Sequence, residues 1–222
     1  MMKVNNKGQA QLFKNKYIEM LTKTHPLVIW SIYIPIIGYM LYYSKTALHF
    51  SGLSIVLLFI LSMFSWTLFE YLAHRYVFHW VSKKDFLKKV TYTLHGNHHE
   101  YPRDRQRLFM PPLPSIVISS IIFTAFYLIA GNYAFIWFPG FILGYLMYAS
   151  MHYAIHAFPP PFKWMKPLWR NHHLHHYKDE EKGFGVSSLL WDWIFNTRFD
   201  LKKEKEDKEK VKELLFDNNK YQ

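Results

Sequence analysis

The chain has 222 residues, a formal net charge of +11 and no cysteine. That length allows one domain, or two small ones. Without cysteine it can form no disulfide, thiolate-ligated haem or cysteine-bound iron–sulfur cluster, so any metal must be held by nitrogen and oxygen. The 27 Lys and Arg residues flank apolar runs instead of forming a soluble basic module, which argues against nucleic acid as a partner.

A mean hydropathy of −0.10 hides strong segregation along the chain. Residues 1–25 are polar and show no cleavable-signal pattern. Leu12, Phe13, Tyr17, Met20 and Leu21 fall near one face of a helix there, which suits either a membrane-surface helix or a merely solvated one. No charge interrupts residues 26–44 or 50–69, and about 20 apolar residues suffice to cross ~30 Å of hydrocarbon. Residues 108–151 contain no Asp, Glu, Lys or Arg and break at Ala130-Gly131-Asn132-Tyr133. They read as a helical hairpin with a short first arm. Spans are thus expected at about 26–44, 50–72, 114–130 and 133–151.

Between the second and third spans lies a loop, residues 73–112, closed by Pro111-Pro112-Leu113-Pro114, where no helix can continue. After the fourth, Pro159-Pro160-Pro161 breaks the chain again. Phe162, Met165, Leu168 and Trp169 then recur at helical spacing beside Lys163, Lys166 and Arg170, as in an interfacial helix. Residues 201–222 form a charged tail that reads as solvated. Of the 27 basic residues, Lys45 is the one on the far-side connections and the other 26 lie on the opposite side. The positive-inside rule then puts both termini and the 73–107 loop in the cytoplasm.

Eleven of the thirteen histidines fall in four groups, each beside or within an expected cytoplasmic segment. They are His74 and His79 in EYLAHRYVFHW; His95, His98 and His99 in LHGNHHEYP; His152 and His156 in MHYAIH; and His172, His173, His175 and His176 in NHHLHHYK. Residues three and four apart share a helix face. By that rule His95, His98 and His99 converge, as do His152 with His156, and His172 with His175 and His176. His173 is out of phase. His74 and His79, five apart, stand about 140° around a regular helix, so they either meet different metals or need the helix to distort. Isolated His25 and His49 read as ordinary polar residues. Neutral imidazole is the commonest protein metal ligand, and ten imidazoles exceed what one ion can use but suit two ions with four or five each. Glu70, one turn before His74, is placed either to orient it or to face water.

The blocks EYLAHRYVFH, HGNHHEYPRDRQRLFMPPLP, HYAIH and HHLHHYKDEEKGFGVSSLLWDWIFNT resemble the successive motifs of the fatty acid 2-hydroxylases, over roughly residues 50–197. These belong to the membrane-bound fatty acid hydroxylase superfamily, with the sterol oxidases and carotenoid hydroxylases. The resemblance implies an all-α membrane protein, with four transmembrane helices under a cytosolic helical cap that holds a dimetal site. Residues 26–200 would form this hydroxylase domain. His74, His79, His95, His98, His99, His152, His156, His172, His175 and His176 match the family's metal positions.

Eukaryotic members carry Tyr-Asp before the HxxxH pair; here the residues are Tyr148 and Ala149. Tyr148 is the candidate catalytic residue, suited to binding the polar end of the substrate, although an aromatic at a membrane interface has an equal structural explanation. Asp192, in the WD motif, would either hold a ligand histidine or touch substrate.

The implied activity is oxygen-dependent hydroxylation at carbon 2 of a long acyl chain, free or in a sphingolipid. Imidazole ligands suit iron, zinc or copper. The family chemistry selects iron, with zinc able to take its place in purified protein. O₂ is the co-substrate and a membrane lipid the substrate. Electrons would come from a separate protein such as a b-type cytochrome or ferredoxin, since the His-Pro-Gly-Gly motif of a fused haem domain is missing. A bacterial inner membrane is favoured over endoplasmic reticulum, with the metals on its cytoplasmic face. The nearest rival is a sterol or carotenoid oxygenase of the same superfamily. A metal transporter is the distant one, because it needs polar ligands inside spans that here have almost none.

Overall fold

A computed structural model describes residues 4–199, and the tail expected over residues 201–222 lies outside them. All regular structure among the described residues is helical. Three stretches are long and apolar enough to cross a membrane: Pro26–Thr46, Gly52–Phe78 and Arg105–Ala157. Four spans are expected from the sequence. The difference lies in the third stretch, which is two helices, α6 (Pro112–Ala130) and α7 (Ala134–Ala157), joined by the 3₁₀ turn Gly131–Tyr133. Multiple apolar helices of this length mark an integral, multi-pass membrane protein.

The chain forms two compact units. The apolar unit comprises residues 11–69 and 106–150. The amphipathic helix expected near the amino terminus shrinks here to α1 (Lys16–Met20), capped by the Asn15 side chain, which accepts from the Tyr17 and Ile18 amides. The Glu19 carboxylate explains the shortening. It accepts the amides of Leu12 and Phe13 at 3.0 and 2.8 Å and pairs with Arg107, so residues 12 and 13 give their N–H groups to a side chain instead of a helix. Helix α2 (Pro26–Thr46) starts at His25, whose ring caps the Leu27 amide, a bland role like the one expected of it.

Helix α3 (Gly52–Ala73) exposes Leu53, Val56, Leu57, Ile60 and Leu61, and α6 exposes Ile116, Val117, Ile121, Leu128 and Ile129. Bands of this size need lipid to cover them. Inside the unit, several polar groups are paired helix to helix. Tyr33 Oη meets Ser115 Oγ at 2.7 Å and Ser119 Oγ at 3.0 Å, and the Trp30 indole donates to Ser150 Oγ at 3.0 Å. Unpaired polar atoms are costly in hydrocarbon. Gly140 and Gly144 of α7 leave no room for a Cβ against Phe59 and Trp66 of α3, the close approach that small residues four apart permit.

The histidine unit comprises residues 4–10, 70–105 and 151–199 of the described chain. The expected 73–112 loop is largely helical within it. A π-helical turn, His74–Phe78, follows α3, and α4 (Asp85–Thr91) runs through a second π turn, Tyr92–Gly96, into α5 (Asn97–Glu100). Helix α8 (Lys166–Tyr177) and the short α9 (Leu190–Ile194) complete the unit. The expected interfacial stretch at 162–170 is a 3₁₀ turn, Lys163–Met165, running into the first residues of α8. Met165 and Trp169 are buried, and the Trp169 indole donates to the Phe158 carbonyl at 2.8 Å. Residues 4–10 are tied in by Asn5 N–H to the Glu100 carbonyl at 2.7 Å and by Tyr177 Oη to Asn6 Oδ1 at 2.6 Å.

Candidate metal centre

Ten imidazoles converge in the histidine unit as two groups of five: His74, His79, His95, His99 and His175, then His98, His152, His156, His172 and His176. In each group one nitrogen per ring lies within 4.8 Å of all the others. All ten rings are buried except that of His79, which is half-buried. His99 and His176, from different groups, stack at 4.2 Å between centroids, so the groups adjoin.

The sharing is dictated by helix pitch. Residues four apart are nearly eclipsed on a helix, whereas neighbours diverge by about 100°. Accordingly His95 pairs with His99, His152 with His156 and His172 with His176 inside single groups, with Nε2 atoms 2.9 Å apart in the first pair and 3.1 Å in the third. The adjacent residues His98 and His99 go to different groups, as do His175 and His176. The expected convergence of His95, His98 and His99 on one point is therefore corrected, and so is that of His172, His175 and His176. His74 and His79 do share a group, by the distortion route. The π turn over His74–Phe78 closes with i→i+5 bonds, which brings residues five apart onto one face.

The nitrogens suit a metal ion in each group. Two ligands about 2.1 Å from one ion and at right angles to each other stand about 3 Å apart. The observed Nε2 separations are 3.0 Å for His74–His95 and His79–His175, and 2.8 Å for His98–His152 and His156–His172. Hydrogen bonding alone cannot satisfy them. His95 Nε2 faces the Nε2 atoms of both His74 and His99 but carries at most one proton. Burial, reinforced by the neighbouring imidazoles, holds His95, His98, His99, His172, His175 and His176 well below the ordinary histidine pKa. Burial takes His79 down to about 4. These rings are thus neutral bases at physiological pH, the form that binds metal.

A loop holds the first group. His74 Nδ1–H donates to the Phe184 carbonyl at 2.6 Å and His175 Nδ1–H to the Lys182 carbonyl at 2.7 Å. A carbonyl can only accept, so both rings carry their proton on Nδ1 and turn the Nε2 lone pair inward. Two buried carboxylates grip the same loop. Asp192 accepts the Phe184 and Gly185 amides at 3.0 and 2.9 Å, and Glu70 accepts the Val186 and Ser187 amides at 2.9 and 2.7 Å. Gly183 sits at φ +72°, which favours glycine, and a Cβ on Gly185 would strike Asp192 and the Ser188 carbonyl. The Gly-Phe-Gly triplet is thus a consequence of how closely the chain wraps these acids.

Residues 59–197, which include all ten of these histidines, match the sequence profile of the fatty acid hydroxylases. The chain belongs to that family. It is 36% identical to the ceramide very long chain fatty acid hydroxylase of Saccharomyces cerevisiae, over 86% of this chain and 50% of that one. To a dihydroceramide fatty acyl 2-hydroxylase of Arabidopsis thaliana it is 33% identical, over 84% of this chain and 79% of the plant protein. A solved structure of scs7p, in which only the hydroxylase domain is visible, superposes with a TM-score of 0.80 and 34% identity, covering 87% of this chain and 74% of that one. The chain spans about half the length of the yeast relatives it matches.

For a member of the fatty acid hydroxylase family, the remaining candidates fall as follows. His173 stands outside both groups, its Nδ1–H on the Trp169 carbonyl at 2.6 Å, as its phase suggested. Glu70 is buried, and it holds the loop beyond the Phe184 carbonyl that takes the His74 ring, so any effect on His74 passes through that loop. Asp192 acts on the same loop, one peptide removed from His74. Tyr148 belongs to the apolar unit, half-buried with its ring beside Trp66 at 5.8 Å between centroids, four residues before His152 along α7. Ala149 is buried, so an Asp there would be shielded from water. The sequence reading missed the Lys182 and Phe184 carbonyls, which a backbone role hides; the two glycines flanking Phe184 were their visible trace.

Proposed function

We propose that this chain is a dimetal lipid hydroxylase that places a hydroxyl on carbon 2 of a long-chain fatty acyl group, free or in a sphingolipid. The observation that carries the reading is the sorting of ten imidazoles into two adjoining groups of five, in a chain that also has apolar helices of spanning length. Relatives that act on ceramide and dihydroceramide acyl chains support the choice of substrate.

The ten histidines would hold two iron ions, with zinc able to replace them. When bound, the metals supply activation of O₂ for attack on a C–H bond, with electrons from a separate b-type cytochrome or ferredoxin. The protein's own part is positional. Paired carbonyls fix the ring tautomers of His74 and His175, burial keeps the rings unprotonated, and the packed histidine unit excludes water. Tyr148 would bind the polar end of the lipid while its tail stays in the bilayer. α2, α3, α6 and α7 would make four crossings, and the 26 basic residues on one side place the metals at the cytoplasmic face. Short far-side connections favour a bacterial inner membrane.

Lipid mass spectrometry of cells with and without the chain tests the reading. The expected gain is a 2-hydroxy acyl species that disappears in a His99→Ala variant. Hydroxylation confined to a sterol or a carotenoid ring would reject the substrate and leave the dimetal chemistry standing.

A further inference from the structure

Four consecutive backbone amides, those of Phe184, Gly185, Val186 and Ser187, donate to just two carboxylates. Asp192 is fully buried and Glu70 nearly so. Asp192 also accepts from Thr197 Oγ1 at 2.7 Å and from the Asn171 amide at 3.2 Å, and Glu70 from Ser187 Oγ at 2.6 Å. Burying two acids is expensive unless they are fully hydrogen-bonded, and charge-assisted bonds from backbone amides are among the strong ones. The arrangement therefore holds the loop rigidly. On its other edge the loop presents the Lys182 and Phe184 carbonyls to His175 and His74, both of the first group.

The second group contrasts at two of its five rings. Nδ1 of His172 and Nδ1 of His176 are buried with no hydrogen-bond partner among the described residues. The two groups match in ligand count and differ in what stands behind the ligands.

We infer that Asp192 and Glu70 are positioning residues for the first metal ion alone, acting through the backbone of residues 182–187. This rests on the dimetal reading above. The Asp192 path is the more direct, since the Gly185 N–H it binds and the Phe184 C=O that holds His74 belong to one peptide unit. An anion on the N–H end of an amide strengthens the C=O end as an acceptor. The carboxylate's negative charge thus reaches the His74 Nδ1–H through a peptide, and raises the basicity of Nε2 as a directly bound carboxylate would.

The test is zinc release from the full-length, detergent-purified chain into excess chromophoric chelator. The wild type should hold two ions, one leaving slowly from the first group and one faster from the second. A His156→Ala variant, short of a second-group ligand, should keep the slow ion and identify its phase. Asp192→Asn and Glu70→Gln, which preserve shape, should speed the slow phase by roughly 10- to 100-fold and leave the fast phase unchanged. The unchanged phase also reports that the variant has folded. Ser187→Ala removes a single hydroxyl bond to Glu70 in a half-buried residue, and should shift the slow phase in the same direction by less. Equal acceleration of both phases in Ser187→Ala overturns the inference, as do two ions released at wild-type rates from Asp192→Asn. A wild-type chain that takes up no zinc overturns the dimetal reading itself.

Discussion

His99 and His176 lie almost parallel, 25° between ring planes and 4.2 Å between centroids, yet each turns its nitrogen to a different set of four partners. They mark the seam between the two histidine groups. Removing either ring should therefore be felt mainly on one side.

Protein purified without chelator is expected to contain about two metal ions per chain by elemental analysis. His99→Ala and His176→Ala should each fall towards one, from opposite groups, and both should lose hydroxylation. A count of two with full activity in both variants would remove these histidines from the ligand set.

The tight wrap of the loop predicts a second pair of effects. Gly183→Ala forces a residue at φ +72° to carry a side chain against Phe199 and the Asn171 carbonyl, and Gly185→Ala drives a methyl into Asp192. Each should destabilise the folded protein by about 1–3 kcal/mol. Thermal unfolding in detergent measures this, and midpoints equal to wild type would contradict the geometry.

Protonation gives a third. His79 and His173 are depressed to about 4 by burial, against an ordinary value of 6.5. Between those limits the unfolded chain binds more protons than the folded one, so metal-free protein should lose stability as pH falls from about 6.5 towards 4. Denaturant titrations at pH 7.5 and pH 5 should show the lower midpoint at pH 5, and the reverse order would refute the assignment of neutral buried rings.

Topology supplies a fourth. With the four crossings proposed above and basic residues concentrated on one side, tags at either terminus and in the segment Asp85–Thr91 should label only from the cytoplasmic side. Labelling of any of them from outside intact cells would require an odd number of crossings or the opposite orientation.

Much of this protein is local and so was readable without coordinates. The apolar runs, the hairpin break at Gly131-Asn132 and the histidine pairs four apart follow from lipid thickness and a 3.6-residue pitch, which act on neighbours in the chain. The amino-terminal helix is shorter than periodicity suggests because Glu19 reaches back to amides six and seven residues earlier, a competitor that periodicity does not register. The assignment of each imidazole to one group or the other was not legible either. Whether His98 or His99 faces a given group depends on where α7 and α8 deliver His156 and His175, a matter of packing across more than fifty residues of chain. The π turn that reconciles His74 with His79 departs from regular helical bonding and is not signalled by the local sequence. Glu70 and Asp192 stand out in the sequence as acids near histidines, with a second reading open for each, but their shared target does not. Only the return of residues 182–187 past both of them turns two carboxylates into a clamp behind His74.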